Sequence, residues 1–249
     1  MRHRSHQHRW MWCLAASFCS ACVFFRSPRV PMQKLEFCDA AHPRRHLALF
    51  LPGLGDTPED VVEAGFIEEM RAAPQFDSII ADAHFGYYRS GVVTTRLHED
   101  IVRRVRGKYD EFWIVGTSMG GYGAVAYAEK FTSAVTGIVL LAPYLGQDKV
   151  QNNVEEAGSL AQWKPEEFKT ESDRTAHAVA LWAWLQQRPT RTLPFVFVGS
   201  GDQDKHMPAV RLLRPSLPSG HTLIIPGDHD WTTWRQLFHR VVHTTFKQR

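Results

Sequence analysis

The stretch IVGTSMGGYGA, residues 114–124, sets a serine among glycines directly after a run of apolar residues. Serine is a weak nucleophile near neutral pH and attacks a carbonyl only where a base removes its proton. Gly116-Thr117-Ser118-Met119-Gly120 suits a tight strand-to-helix turn, which would expose the Ser118 hydroxyl at the edge of a sheet. A Cβ at Gly116 or Gly120 would clash where strand and helix pass closely. A phosphate-binding loop is the competing use of such a cluster, but no Gly-Lys-Ser/Thr follows.

With 13 histidines in the chain, a histidine by itself decides nothing. His229 is distinguished by position, because it follows the last apolar run in TLIIPGDHDW and immediately precedes the final helical pattern. His221 precedes that run and belongs at the opposite edge of the sheet, while His206 and His177 fall in helical or inserted segments and are expected at the surface. The carboxylate that orients the base should follow the preceding run, in FVFVGSGDQDKHMP. Two registers compete there. Carrying the strand through to Ser200 makes Gly201 the turn residue and favours Asp204, with Asp202 as the alternative. Asp228 and Asp230 suit the negative charge preferred at a helix N-terminus. The oxyanion formed by serine attack needs preorganised N–H donors. Met119 supplies one, and Leu54, in LFLPGLGDTPED, is the expected second, with Gly53 letting the chain turn close to substrate. A plain glycine-rich β–α loop is the alternative use of that segment.

These residues need strand ends to stand on. The apolar runs HLALFLPG, FDSIIADAHF, EFWIVGTS, VTGIVLLAP, LPFVFVGSG and HTLIIPG alternate with helical patterns. Runs apolar on both faces read as strands of a mostly parallel sheet with helices on both faces. TPEDVVEAGFIEEMRAA opens with a capping-box-like Thr57 and Asp60 and a proline at the first helical position. Leu97, Ile101 and Val105 recur every four residues before Gly107, and Trp231, Trp234, Phe238 and Val241 stripe the last helix. The connection from LLAP to LPFVF is far longer than such links usually are. Its tryptophan-rich helix AHAVALWAWLQQ marks an inserted helical cap over one end of the sheet, about residues 146–190 of a single domain spanning 32–249.

The chain has 249 residues, 44% hydrophobic and 22% charged, an ordinary globular composition. Its formal charge of +3 does not suggest nucleic acid, because Arg2, Arg4 and Arg9 are the only charged residues among the first 22 and the remainder is balanced. Basic MRHRSHQHR followed by apolar WMWCLAASFCSACVFF reads as an export leader within residues 1–31. Cys22 is the candidate lipidated residue of a lipoprotein-like FCSAC. An uncleaved membrane anchor and a true start at Met32, which would make the protein cytoplasmic, are the alternatives; export or membrane attachment is favoured. Cys13, Cys19, Cys22 and Cys38 all precede the folded body, which leaves it no disulfide framework or thiolate metal cluster.

GTSMGG, an acidic residue after the next-to-last strand, and GDHDW, in that order, resemble the α/β-hydrolase superfamily over about residues 46–246. The His-Asp-Trp ending looks like esterases related to S-formylglutathione and feruloyl esterases. Those usually carry Gly where this chain has Asp228, and many members carry His where LPGLGD has Pro52. The resemblance implies an α/β-hydrolase fold, acyl transfer through Ser118, His229 and Asp204, a small-molecule ester or thioester substrate, and no metal or cofactor. A transacylase, an amidase or a cofactor-free peroxidase would use the same triad, and a non-catalytic binding protein would keep only the fold. Tyr87, Tyr88 and Arg89 follow a strand end and are expected to border the substrate; an arginine there suits an anionic group, although solvation is its ordinary role. Trp163, Trp182 and Trp184 either wall an acyl pocket, with Trp182 the first candidate, or pack the cap onto the sheet.

Overall fold

The computed structural model describes residues 26–39, 41–169, 172–187 and 194–249. The expected leader lies outside them as far as residue 25, and no helix of the described residues is long and apolar enough to cross a membrane.

Seven strands form one sheet: β1 (Lys34–Phe37), β2 (His46–Leu51), β3 (Phe76–Ala81), β4 (Glu111–Thr117), β5 (Gly137–Leu141), β6 (Phe195–Gly201) and β7 (Thr222–Ile225). Their order across the sheet is β1-β3-β2-β4-β5-β6-β7. β2 to β7 run parallel, and β1 pairs antiparallel with β3 at one edge. The six apolar runs are β2 to β7. β1 is not among them because Lys-Leu-Glu-Phe, half-buried to exposed, carries two charges and no apolar run.

Burial on both faces explains the continuous apolar runs. Leu47, Leu49 and Leu51 of β2 enter one apolar cluster, and Ala48 and Phe50 enter the other. β4 divides likewise, with Phe112 and Ile114 on one side and Trp113 and Val115 on the opposite side.

Thr57 caps α1 (Pro58–Glu63) with the reciprocal Thr57–Asp60 capping box. Gly65, at φ 83°, then separates α1 from α2 (Phe66–Met70), so a stretch with one helical pattern forms two short helices. After α3 (Phe85–Arg89), α4 runs from Val93–Arg96 through a π-helical Leu97–Val102 into Arg103–Val105. α5 (Met119–Lys130) follows β4. α6 (Asp148–Glu156) and α7 (Asp173–Gln186) lie between β5 and β6, α8 (Met207–Leu213) follows β6, and α9 (Trp231–Thr244) follows β7.

The segment expected to cap one end of the sheet adds Val150, Val154, Trp163, Leu181 and Trp182 to the apolar cluster of one sheet face. α1, α2 and α9 cover the other face through Val61, Phe66, Trp234 and Phe238. The residues just before 32 also pack on the body. Arg26 pairs with Asp82 past the end of β3, and the Tyr87 hydroxyl donates to Arg29 O at 2.9 Å and accepts from Arg29 N at 3.0 Å.

Candidate active site

Ser118 is the single residue between β4 and α5, at φ 49° and ψ −114°. This backbone conformation is uncommon for a residue with a side chain, and it holds the hydroxyl off both flanking elements. The main chain fixes it: Ser118 N donates to Leu141 O at 3.0 Å, and Ser118 O accepts from Gly121 N at 2.9 Å and Tyr144 N at 3.0 Å. Glycine is required on each side of the turn for a steric reason. A Cβ on Gly116 would fall on the carbonyl of Gly120, and one on Gly120 would fall on the carbonyl of Leu51 at the end of β2.

The structure brings three of the expected residues into one hydrogen-bonded line. His229 Nε2 lies 3.0 Å from Ser118 Oγ, and His229 Nδ1 lies 2.9 Å from Asp204 Oδ2. Ser118 and Asp204 are buried, and the His229 side chain is 14% exposed, so the imidazole keeps a narrow opening to solvent. The second Asp204 oxygen accepts from His206 N at 2.7 Å. Two bonds therefore fix the carboxylate in one orientation. Asp202 turns the other way and accepts from Gly227 N at 3.2 Å, tying the loop after β6 to the loop after β7. Asp228 accepts from His229 N, and Asp230 caps α9 through Thr233 N.

The His229 ring is held edge-to-face between Trp234, at 4.9 Å, and His206, at 5.0 Å. His206 had been expected at the surface. It is half-buried beside the reacting groups, where burial first and then the neighbouring His229 bring its pKa down to about 4. A neutral imidazole stands there at pH 7. The signal for it was its place two residues after Asp204, within the same strand-end loop.

Gly53 lies against the serine: a Cβ built on it would stand 3.4 Å from Ser118 Cβ and 2.5 Å from Asp56 Oδ2. Leu54 is 44% exposed, and its N–H has no acceptor among the described residues. The Met119 N–H opens α5, where no preceding turn offers it a carbonyl. Neither N–H group has a main-chain acceptor among the described residues. Sequence reasoning missed Asp56. Its carboxyl is raised from 3.8 to about 6 by burial and by Asp60, against the opposing pull of the Gly53 N–H and His229.

Two expected substrate contacts are corrected by the structure. Tyr87 is fully buried, with its hydroxyl bonded to the Arg29 backbone, because that side of the short α3 faces the core. Trp182 is also fully buried and donates from Nε1 to Leu145 O at 3.0 Å, so it anchors the inserted segment rather than walling a pocket. Trp163 and Trp184 are likewise buried. The residue after Tyr87 is the one that borders a cavity. Tyr88 lines a cavity of about 180 Å³ with Phe85, Arg89, Met119, Tyr122 and Tyr144. A chain of ring contacts runs from His229 through His206 and Tyr144 to Tyr122 and Tyr88. Among the described residues, Glu69, His239 and His243 stand close enough to share one metal ion. They lie on α2 and α9, and Arg235 Nε and His239 Nδ1 already occupy the two Glu69 oxygens.

Residues 50–184 match the family model described as alpha/beta hydrolase fold. The chain belongs to this family. Among solved structures, the α/β hydrolase resembles Est1E from Butyrivibrio proteoclasticus at 15% identity and a TM-score of 0.60, over 85% of this chain and 90% of that one. It is also similar to the S-formylglutathione hydrolase FrmB from Staphylococcus aureus, at 16% identity and a TM-score of 0.58 over 89% and 99% of the two chains. An S-formylglutathione hydrolase from Agrobacterium tumefaciens gives 15% identity and a TM-score of 0.56, over 88% and 90%. At these identities the likeness establishes the fold. No curated protein matches the sequence.

Proposed function

We propose that this α/β hydrolase is a serine hydrolase that cleaves a carboxylic ester or thioester through an acyl-enzyme. The observation that carries this reading is the continuous line Asp204–His229–Ser118, with both hydrogen bonds near 3 Å, ending on a serine at positive φ. His229 Nε2 takes the Ser118 proton as Oγ attacks the acyl carbon, then gives that proton to the departing alcohol or thiol. Asp204 keeps Nδ1 protonated, so Nε2 is the basic nitrogen, and it balances the imidazolium that forms. The N–H groups of Met119 and Leu54 receive the oxyanion, and water repeats the sequence to release the acid. The esterases and the S-formylglutathione hydrolase among the structural neighbours support an ester or thioester as substrate.

A fluorophosphonate probe tests the nucleophile. The wild-type protein is expected to label and to hydrolyse p-nitrophenyl butyrate, and Ser118→Ala is expected to lose both, with turnover down by about 10⁴-fold or more. Wild-type protein that neither labels nor turns over the ester would sink the proposal.

A further inference from the structure

We propose that the cavity beside Ser118 takes an acyl chain ending in an anionic group, with the half-ester of a dicarboxylic acid as the simplest such substrate. This inference rests on the esterase reading above and names the substrate class of that same site. The cavity adjoins the nucleophile through two of its lining residues: Met119 follows Ser118 directly, and Tyr144 N donates to Ser118 O at 3.0 Å. Its inner lining of Phe85, Met119 and three tyrosines suits the methylenes of a chain.

The polar groups of that lining are mostly donors. Arg89, on the last turn of α3, and Arg174, on the first turn of α7, both line the cavity. Neither guanidinium has an ion pair or hydrogen-bond partner among the described residues, although both are open to solvent. No aspartate or glutamate lines the cavity. Gln147, also in the lining, accepts from Thr175 Oγ1 at 2.7 Å. Tyr88 Oη is buried without a partner, against Gly123 of α5. Burial holds Tyr88, Tyr122 and Tyr144 above the ordinary phenol pKa, so their hydroxyls stay protonated.

Two guanidinium groups without an ion-pair partner among the described residues complement an acceptor-only group, as a carboxylate is. A second hollow of about 370 Å³ shares Tyr88, Tyr122 and Arg174 and is lined further on by Glu129 and Lys130. In the reaction, Ser118 Oγ forms the acyl ester as the alcohol leaves with the proton from His229. Water then cleaves that ester, so half-ester and water give dicarboxylic acid and alcohol.

The test compares kcat/KM for mono(4-nitrophenyl) adipate and 4-nitrophenyl hexanoate, which share chain length and leaving group and differ in the terminal carboxylate. The wild-type ratio is expected to favour the adipate by about tenfold or more, and to collapse towards one in Arg89→Gln/Arg174→Gln. A wild-type ratio of one or less, or a ratio unchanged in the double variant, would overturn the anionic subsite while leaving the esterase intact. Should the double variant fail to fold, calorimetric binding to Ser118→Ala decides instead: tighter binding of monoethyl adipate than of ethyl hexanoate supports the inference, and equal binding overturns it. Wild-type protein that hydrolyses neither ester and fails to label with fluorophosphonate overturns the esterase reading and this inference with it.

Discussion

The two sides of the site are held by different means. Ser118 and Asp204 leave β4 and β6, strands paired on both edges, and main-chain hydrogen bonds fix the turns that carry them. The opposite wall, Tyr144 to Gln147 with Arg174, comes from the long connection between β5 and β6. Side chains knit that connection together: Trp182 donates to Leu145 O, Thr175 Oγ1 to Gln147, and Gln186 to the carbonyls of Leu160 and Trp163. The geometry of attack therefore depends on the main chain, and glycines that it passes closely, Gly116, Gly120 and Gly201, are where a side chain would disturb it most. The shape of the acyl cavity depends on a handful of side chains and can change without moving the reacting atoms.

The largest expected effect sharpens the first half of that contrast. Asp204→Asn should lower kcat/KM for p-nitrophenyl butyrate by about 10³–10⁴-fold, since the wrong tautomer would face the serine. Asp202→Asn should stay within about twofold, because its carboxylate meets Gly227 N rather than the imidazole. Equal losses in the two variants would break the assignment of roles to these loops.

Next, Trp182→Ala should destabilise the fold by about 3–5 kcal/mol in urea melts, as deletion of a fully buried indole does. At temperatures where the variant stays folded, Ser118 should still label with fluorophosphonate. A stable Trp182→Ala protein would show that the inserted segment is not anchored through this residue.

The smallest effect concerns Asp56. Its folded-state pKa of about 6 lies above the ordinary 3.8, so the folded protein holds that proton more tightly than the unfolded chain. Stability should therefore fall as pH rises from 3.8 to about 6. Asp56→Asn should remove that loss and raise stability at pH 8 by about 1 kcal/mol, a figure reduced for the partial exposure of the group, with no gain at pH 3. An unchanged pH profile would place Asp56 in water instead of beside Gly53.

The same contrast explains how much of the molecule was legible beforehand. Ser118, Asp204 and His229 could be named because each follows a strand end, and strands buried on both faces announce themselves as apolar runs. Tyr87 and Trp182 were misjudged because residue type does not tell which side of a helix faces a cavity. Tyr87 and Tyr88 are neighbours with opposite fates. His206 was passed over although it stands two residues after Asp204, because its contact with the His229 ring arises only where the loops after β6 and β7 meet. β1 was missed because an edge strand, half open to water, needs no apolar run, and Gly65 divides a helix whose hydrophobic pattern continues across it.

β1 has a bearing on how the chain behaves in crowded solution. Every residue of β3 is buried, and without a neighbour its outer edge would offer unpaired N–H and C=O groups beside apolar side chains. Such an edge is a template for joining another chain. Four residues close it, and they turn outward a strand that is short and carries the Lys34–Glu36 pair at 2.5 Å. A segment with no part in the chemistry thus shields one side of the sheet from pairing with another chain.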